Sequence, residues 1–587
     1  ATPVTVLMDL NIVRDDKIMV TVTPPKLTEN KIVYSLPKII PGTYSEDDYG
    51  KFVEDFTAVD ANGNSLPVIK TDENSWEISS ATTLSKITYW VNDTYDNENT
   101  HEIFSPAGTN ILEGKNFMLN MHGFVGYFAG RADIPYVVSI AHPSHLFGAT
   151  SLVDTDVSDS VDKFTVARYA ELVDNPIMYS KPDYTTFKVD DMDILISVYS
   201  PAGTVTAESL TPDMERMMRA QKKFLGPIDT TKKYTVLLYL SDVRSADAKG
   251  FGALEHNTST TVVFPEMLPQ EQLISAMIDV VAHEFFHIVT PLSIHSEEIH
   301  YFDFNDPKMS QHLWMYEGVT EYFANLFQIQ QGLIDEEEFY TRMSAKIAGA
   351  NRMNDTMSFT EMSKNVLKEP YKSQYLNVYE KGTLIGMCID IIIREQSNGE
   401  RGILDMMQQL ATLYGAKKPF SDEELFAKIT EITYPEVGAF LDKHVKGTTP
   451  INYAEYFAKM GVGNATKQVP GNVFINGQTP YVTVNPSTKE IMIVPGIELN
   501  KFFTDLGVRG GDIITNINGT NYNLDNIYEL IMGSQEWKEG DAITVEIKRD
   551  GKVQKLTGKV QLSLEEKQGL TATDSTKENL RNAWLKG

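Results

Sequence analysis

The sequence predicts a multidomain α+β protein with an all-β N-terminal domain, a mainly α-helical middle domain and a β-rich C-terminal domain. The first observation is length: 587 residues correspond to roughly three or four domains of about 100–200 residues each. The second is a change of hydrophobic period, from strand-like runs to helical spacing near residue 207 and back to strands after about residue 463. The predicted domains are residues 1–204, 205–463 and 464–565, followed by a C-terminal tail over residues 566–587.

Strand-like runs fill the first third of the chain. They are short, rich in valine, isoleucine, threonine and tyrosine, and separated by turn sequences such as Asn62-Gly63. The clearest runs are Lys17–Val22, Lys31–Ser35, Ile87–Val91 and Asp193–Tyr199. The sequence therefore predicts a β-sandwich-like domain over residues 1–204.

Helical periodicity dominates the middle of the chain, with Tyr234–Tyr239 as a strand among the helices. The predicted helices are Pro212–Leu225, Gln270–Val289, His312–Gln331, Asp335–Ala348, Val378–Ser397 and Ser421–Ile432. Beyond residue 463, strands return around one helix, Leu524–Met532. These strands are Tyr481–Val484, Glu490–Val494, Asp512–Ile517 and Ala542–Lys548.

Composition narrows the range of functions. The chain has 52 basic and 80 acidic residues, a formal net charge of −28 and a pI of about 4.8. Nucleic acids and anionic membranes attract cationic surfaces, so both are disfavoured as partners. No apolar run is long enough to predict a membrane span. Because Cys388 is the only cysteine, a disulfide framework and a cysteine-rich metal site are excluded, which leaves histidine, aspartate and glutamate as metal ligands.

The run His283-Glu284-Phe285-Phe286-His287 is the sharpest chemical signal. It lies in a predicted helix, where two histidines four residues apart point the same way and can bind one zinc ion. The carboxylate of Glu284 can then reach a metal-bound water. A catalytic zinc needs three protein ligands, so the motif predicts a third ligand on another element. The alternatives are a chance match and two core histidines satisfied by backbone groups.

Glu317 and Glu321 lie four residues apart in the next predicted helix and therefore share a face. Two carboxylates beside apolar residues are costly unless they are paired or bound to metal. In the functional interpretation, one glutamate binds the metal and the other holds a ligand histidine by its second ring nitrogen. The alternative is a solvated acidic stripe. The residues alone leave both interpretations open.

Together the two segments resemble a known family. The HExxH run followed by Leu-Trp-x-x-Glu-Gly-x-x-x-Tyr at residues 313–322 is similar to the gluzincin metallopeptidases and the aminopeptidase N superfamily, and more closely to the glycyl aminopeptidase family. The resemblance implies a thermolysin-like middle domain with one Zn²⁺ per chain, held by His283, His287 and Glu317. Glu321 then falls where a carboxylate would orient a ligand histidine.

Two further segments fit this resemblance. Residues 252–256, Gly-Ala-Leu-Glu-His, resemble a motif whose glutamate binds the free α-amine of the substrate, which implies that role for Glu255. Residues 379–382, Tyr-Glu-Lys-Gly, resemble a motif whose tyrosine donates a hydrogen bond to the oxyanion, which implies that role for Tyr379. A phenol suits this role because it is a donor that stays neutral at pH 7. Taken singly, the first segment is also typical of a turn between strands, and the second of a helix start.

Residues 506–519 resemble the Gly-Asp-x-Ile-x-x-Ile-Asn-Gly run of PDZ domains, which the glycyl aminopeptidase family commonly carries at its C-terminus. The resemblance implies a PDZ domain over residues 464–565 that binds an extended peptide or a protein C-terminus by strand addition. The alternative is a degenerate PDZ fold that serves for packing or oligomer contact.

Together, these expectations predict a zinc metallopeptidase of the aminopeptidase type. Glu284 would activate a zinc-bound water to remove N-terminal residues such as glycine or alanine from peptides. Two alternatives remain: a zinc endopeptidase with the same chemistry, and a non-catalytic peptide-binding scaffold that uses its PDZ domain. The chain begins at Ala1 with no leader before it, so either a leader was removed or the chain was trimmed. Its acidic, disulfide-free composition favours a periplasmic or secreted bacterial protein.

Overall fold

The computed structural model describes residues 2–96, 103–229 and 231–587. The chain divides into two compact units, one running from the N-terminus to Gly461 and including Asp574–Gly587, and the other covering Val462–Thr573. The predicted multidomain α+β organisation is confirmed at this level. A β-rich N-terminal region and a helical middle region form the first unit, and the second unit is a C-terminal β region.

The N-terminal region is built from β-sheets. Among its described residues, six strands form the largest sheet, in the spatial order Val161–Val166, Tyr136–Ala141, Val4–Asp9, Lys17–Thr23, Leu84–Asn92 and Val53–Asp60. One four-stranded sheet consists of Tyr127–Phe128, Lys31–Ser35, Ser75–Ser79 and Val68–Asp72. Another consists of Phe147–Ala149, Ile177–Ser180, Asn116–Leu119 and Asn110–Leu112. Alternate residues such as Val4, Val6 and Met8 are buried, which is the period of a strand with one face in the core.

Short helical turns connect these strands. They are Tyr49–Phe52, Ala81–Thr83, Ser105–Ala107, Met121–Gly123 and Tyr169–Val173. The turn at Tyr49–Phe52 follows a loop that enters the candidate active site described below.

A sheet with both parallel and antiparallel strand pairs accompanies the helices. Its strands, in spatial order, are Tyr184–Val189, Met192–Tyr199, Lys233–Ser241, Ser259–Pro265 and Gly252–Glu255. Met192–Tyr199, which we predicted within the N-terminal domain, instead pairs in parallel with Lys233–Ser241. Alternation predicts a strand but not its partner, which here follows only after the long helix Ala207–Leu225. Gly252–Glu255 is the edge strand and ends at Glu255.

Helices make up most of the remaining first unit. The α-helices of this region are Ala207–Leu225, Gln270–Phe286, Glu297–His300, Thr320–Gln330, Glu336–Ala350, Phe359–Lys364, Glu380–Gln396, Ile403–Leu413, Leu425–Ile432, Pro435–Phe440 and Tyr453–Lys459. Two π-helical segments, Trp314–Val319 and Leu441–Lys446, and three 3₁₀ turns, Gly226–Ile228, Lys372–Val378 and Asp422–Glu424, complete the described set. In the part of the chain that the structure describes, no helix is long and apolar enough to cross a membrane.

The polar C-terminal residues, 566–587, are predicted as a tail or a terminal helix. They contain the end of strand Leu564–Ala572, a 3₁₀ turn at Ser575–Lys577 and the helix Glu578–Lys586. Within the first unit, the indole of Trp584 is fully buried and donates a hydrogen bond of 2.7 Å to the hydroxyl of Tyr322. The structure therefore has the terminal helix, and the buried indole of Trp584 packs it into the core of the first unit.

The second unit has its own small core. Its main sheet runs in the order Val482–Val484, Ile491–Ile493, Ile513–Ile517, Ala542–Arg549 and Lys552–Lys559, and Thr520–Asn521 pairs with the third of these strands. Two further pairs, Val462–Pro470 with Leu564–Ala572 and Ile475–Asn476 with Thr479–Pro480, and the helices Lys501–Leu506 and Ile527–Ser534 complete its described elements. Asp512, from the Gly-Asp run, is buried and pairs with the guanidinium of Arg549 through two contacts of 2.8 Å. This buried ion pair holds the residue directly before strand Ile513–Ile517 in place.

Candidate active site

His283 and His287 face each other at the end of helix Gln270–Phe286. His287 follows the last residue of this helix and keeps the right-handed helical conformation, so both imidazoles stay on one side. Their Nε2 atoms are 3.1 Å apart. The Nδ1 atoms are engaged elsewhere, at 2.6 Å from Glu321 Oε2 for His283 and 3.1 Å from the carbonyl oxygen of Thr290 for His287. Both Nε2 atoms can therefore bind the same metal ion.

Glu317 supplies a third donor atom. It lies in the π-helical segment Trp314–Val319 and is 2% exposed. Its Oε2 is 3.2 Å from Nε2 of His283 and 3.5 Å from Nε2 of His287. Tetrahedral ligands at about 2.0–2.2 Å from a zinc ion lie about 3.3–3.6 Å from one another. The three donor atoms have the chemical type of zinc ligands, and their separations of 3.1, 3.2 and 3.5 Å are close to this spacing.

Two motif glycines bring the segments around Glu317 and Tyr379 together. A Cβ atom added to Gly318 would lie 2.4 Å from the carbonyl oxygen of Gly382, so a side chain there would push the two backbones apart. Tyr379, three residues before Gly382, has its ring centroid 5.8 Å from that of His283. Burial, followed by the charge of Glu317, raises the pKa of Tyr379 well above its usual range. Its phenol therefore stays protonated and can donate a hydrogen bond.

Glu321 contacts the outer nitrogen of His283. One carboxylate oxygen is 2.6 Å from Nδ1 of His283, and the other is 3.4 Å from Nζ of Lys346. Burial raises the pKa of Glu321, but the hydrogen bond and charge of His283 outweigh this and lower the pKa to about 2. The carboxylate is thus ionised at neutral pH. This is the contact that the orienting role predicted for Glu321 requires.

Glu284 and Glu255 add two carboxylates beside His287. Their Oε2 atoms lie 3.9 Å and 4.0 Å from Nε2 of His287. Oε2 of Glu284 is buried and has no hydrogen-bond partner among the residues that the structure describes. Burial, followed by the charge of Glu255, raises the pKa of Glu284 well above its usual range. This buried carboxylate oxygen, beside the three donor atoms, is placed to accept a proton from a water molecule.

The site carries an excess of negative charge. Four carboxylates surround two imidazoles, and all of the residues predicted from the sequence come together here: Glu255, His283, Glu284, His287, Glu317, Tyr379 and, behind His283, Glu321. Burial lowers the pKa of His287, but the charges of Glu255 and Glu317 outweigh this and raise it. Such a site suits a divalent cation and the ammonium group of a substrate.

Two tyrosines at the site were not predicted from the sequence. The hydroxyl of Tyr375 is 2.7 Å from that of Tyr379, and the hydroxyl of Tyr44 donates to Oε1 of Glu317 at 3.2 Å. Tyr44 comes from a loop of the N-terminal region, where the sequence offers only a Pro-Gly turn signal. Tyr375 lies in a 3₁₀ turn just before the Tyr-Glu-Lys-Gly motif. Neither residue stands in a pattern that sequence alone connects with the site.

Comparison with protein families agrees with this geometry. Residues 6–181 match the family model of the peptidase M61 N-terminal domain, and residues 276–385, which include the two histidines, Glu317 and Tyr379, match that of the M61 glycyl aminopeptidase. The chain is therefore a zinc metallopeptidase of the aminopeptidase type. Both matches are to M61 domains, one N-terminal and one of the glycyl aminopeptidase, so the resemblance seen in the sequence is confirmed. No curated protein matches the chain.

Several solved structures are similar to this chain. An aminopeptidase N family protein from Idiomarina loihiensis matches with a TM-score of 0.70 at 19% identity, over 99% of this chain and 100% of that chain. A variant M1 zinc metallopeptidase from Deinococcus radiodurans bound to a Tyr-Ser-Ala substrate matches with a TM-score of 0.49 at 15% identity, over 77% and 94% of the two chains. Leukotriene A4 hydrolase from Saccharomyces cerevisiae matches with a TM-score of 0.47 at 13% identity, over 76% and 68%. The first match shows a common fold; the other two carry no further conclusion.

Proposed function

We propose that this chain is a zinc-dependent aminopeptidase that hydrolyses N-terminal residues such as glycine or alanine from peptides. The supporting observation is the convergence of Nε2 of His283, Nε2 of His287 and Oε2 of Glu317 at 3.1–3.5 Å from one another. These residues are the proposed ligands of one Zn²⁺ per chain. When bound, zinc polarises the scissile carbonyl and makes water acidic enough to be deprotonated at neutral pH.

Glu284 is the proposed general base. Its partnerless Oε2 accepts a proton from the attacking water and then delivers that proton to the leaving amine. A carboxylate whose pKa is raised by burial holds the proton more readily between these two steps. Tyr379 donates its phenolic proton in a hydrogen bond to the oxyanion that develops on the scissile carbonyl. Glu321 keeps the ring of His283 oriented.

Glu255 is the proposed anchor for the substrate's α-amine. It ends the edge strand Gly252–Glu255, and its Oε2 lies 4.0 Å from Nε2 of His287. A carboxylate this close to the metal ligands can pair with an ammonium one residue away from the scissile bond. A blocked N-terminus offers this carboxylate only a neutral amide N–H, without the positive charge of the free amine.

Free and N-acetylated peptides test this anchor. We expect wild-type protein to cleave Ala- and Gly-peptides with a free amine and to leave their acetylated forms intact. Glu255→Gln should lower kcat/KM for the free peptides by about 10- to 100-fold, because a charge-assisted hydrogen bond contributes about 1.5–3 kcal/mol. The exposed Glu271→Gln, on the helix of His283, is the matched control and should retain wild-type kinetics.

The opposite result favours the zinc endopeptidase. Cleavage of acetylated peptides at internal bonds, at rates equal to those of free peptides, would contradict the amine anchor while leaving the zinc chemistry in place. Peptide binding without any turnover would instead favour a non-catalytic scaffold.

For residues 464–565 we propose a PDZ-like module that binds an extended peptide or a protein C-terminus. The support is the Gly-Asp run with its buried Asp512–Arg549 pair, and the short strand Val482–Val484, which ends the strand order of its sheet. Strand addition at such an edge is the binding mode of PDZ domains. A periplasmic or secreted location stays a prediction.

A further inference from the structure

A loop from the N-terminal β-region enters the candidate active site. It follows strand Lys31–Ser35 and is held at its base by the backbone amides of Lys38 and Ile39, which donate to the carbonyl oxygen of Phe304 at 3.0 and 3.1 Å. At Gly42, which has φ +93°, an added Cβ would lie 2.6 Å from Oε1 of Glu255. The loop therefore runs directly along the proposed amine anchor, and only glycine fits there.

Tyr44, two residues further on, has an unusual backbone. Its φ is +53°, in the left-handed region that bulky side chains rarely occupy. Such a conformation persists only where surrounding contacts hold it, and residues of this kind cluster at functional sites. In this loop the conformation turns the phenol of Tyr44 toward Glu317, where the hydroxyl donates to Oε1 at 3.2 Å.

The two carboxylate oxygens of Glu317 thus contact different groups. Oε2 faces Nε2 of His283 and Nε2 of His287, whereas Oε1 accepts the hydrogen bond from Tyr44. A phenol hydroxyl facing a carboxylate oxygen is the donor of the pair, because the carboxylate can only accept. A carboxylate with one oxygen held by a donor presents the other oxygen in a fixed direction.

We propose that Tyr44 is a positioning residue that holds Glu317 with Oε2 toward the metal, so that a loop of the N-terminal β-region sets the zinc affinity of the catalytic site. This inference rests on the proposed role of Glu317 as a zinc ligand. The ring of Tyr44 also packs against Tyr375, with centroids 5.3 Å apart. Removal of the hydroxyl alone leaves that packing in place, which separates the positioning role from a structural one.

Zinc affinity of Tyr44→Phe is the direct test. The metal-free proteins are titrated with zinc against a chromophoric chelator, and their melting temperatures are measured without metal. We expect Tyr44→Phe to bind zinc about 10- to 100-fold more weakly than wild type, and to keep a single cooperative melting transition in the metal-free form. Tyr375→Phe is the matched control, because the Tyr375 hydroxyl contacts Tyr379 and not Glu317. It should bind zinc as wild type does.

The outcomes separate the inference from the function on which it rests. Equal zinc affinities for wild type and Tyr44→Phe would overturn the inference and leave the proposed function standing. Equal weakening in Tyr44→Phe and Tyr375→Phe would also overturn it, since the effect would then come from the tyrosine cluster as a whole. Absence of zinc binding by the wild-type protein would contradict the proposed function itself.

Discussion

Replacement of Glu284 by glutamine is expected to reduce peptide hydrolysis by about 10²- to 10⁴-fold, the contribution of a positioned general base. The amide has the size of the carboxylate but cannot take a proton from water. Oε2 of Glu284 has no hydrogen-bond partner among the described residues, so the substitution removes no hydrogen bond at that atom. The change should therefore act on kcat for Ala- and Gly-peptides, with the fold and the zinc content preserved.

Two measurements check this result. The steady-state kcat of Glu284→Gln is compared with that of Glu271→Gln, an exposed change on the same helix, and the zinc content of both proteins is measured by elemental analysis. Equal activity of Glu284→Gln and wild type would contradict the general-base role. Loss of zinc from Glu284→Gln would show that the carboxylate acts as a ligand instead.

Replacement of Glu317 by alanine is expected to remove both zinc and activity. The change leaves two imidazoles where a catalytic zinc needs three protein ligands. Without the metal, the site loses several kcal/mol of transition-state stabilisation, which corresponds to a fall of about 10³-fold or more in kcat/KM. Zinc content after dialysis against a zinc buffer, measured together with hydrolysis of an Ala-peptide, checks both losses.

Glu321→Gln is the matched control for this experiment. Glu321 lies one helical turn further on, and its carboxylate contacts Lys346 and the outer nitrogen of His283, Nδ1, rather than Nε2. We expect this variant to bind zinc about 10- to 100-fold more weakly, yet still to saturate at one ion per chain. Full zinc content in Glu317→Ala, or its loss at saturating zinc from Glu321→Gln alone, would reverse the roles assigned to the two glutamates.

Much of the site follows from local sequence patterns. Two histidines four apart in an apolar-periodic segment predict their shared direction, because helix geometry alone brings their Nε2 atoms together. The spacing of Glu317 and Glu321 likewise predicts that both approach one side. What periodicity does not predict is the π-helical form of Trp314–Val319, since a widened turn changes hydrogen bonding without changing which residues are apolar.

Contacts between distant segments are the part that the sequence leaves open. Tyr44 and Glu317 are 273 residues apart and meet only because the β-region loop is anchored near Phe304. The close approach of Gly318 and Gly382 is equally non-local, although both glycines stand in recognised motifs. Likewise, Met192–Tyr199 is identifiable as a strand, but its parallel partner depends on how the intervening helix packs. Pairing and packing are properties of the folded protein, whereas period and motif are properties of a segment.

The most direct test of the proposed zinc aminopeptidase is a zinc titration of the metal-free protein. Activity toward an Ala- or Gly-peptide with a free amine is followed while zinc is added to chelator-treated, re-dialysed protein. We expect no activity at the start, a linear rise, and a break at one zinc ion per chain. Full activity in the metal-free protein, or zinc binding that restores no hydrolysis, would contradict the proposed function.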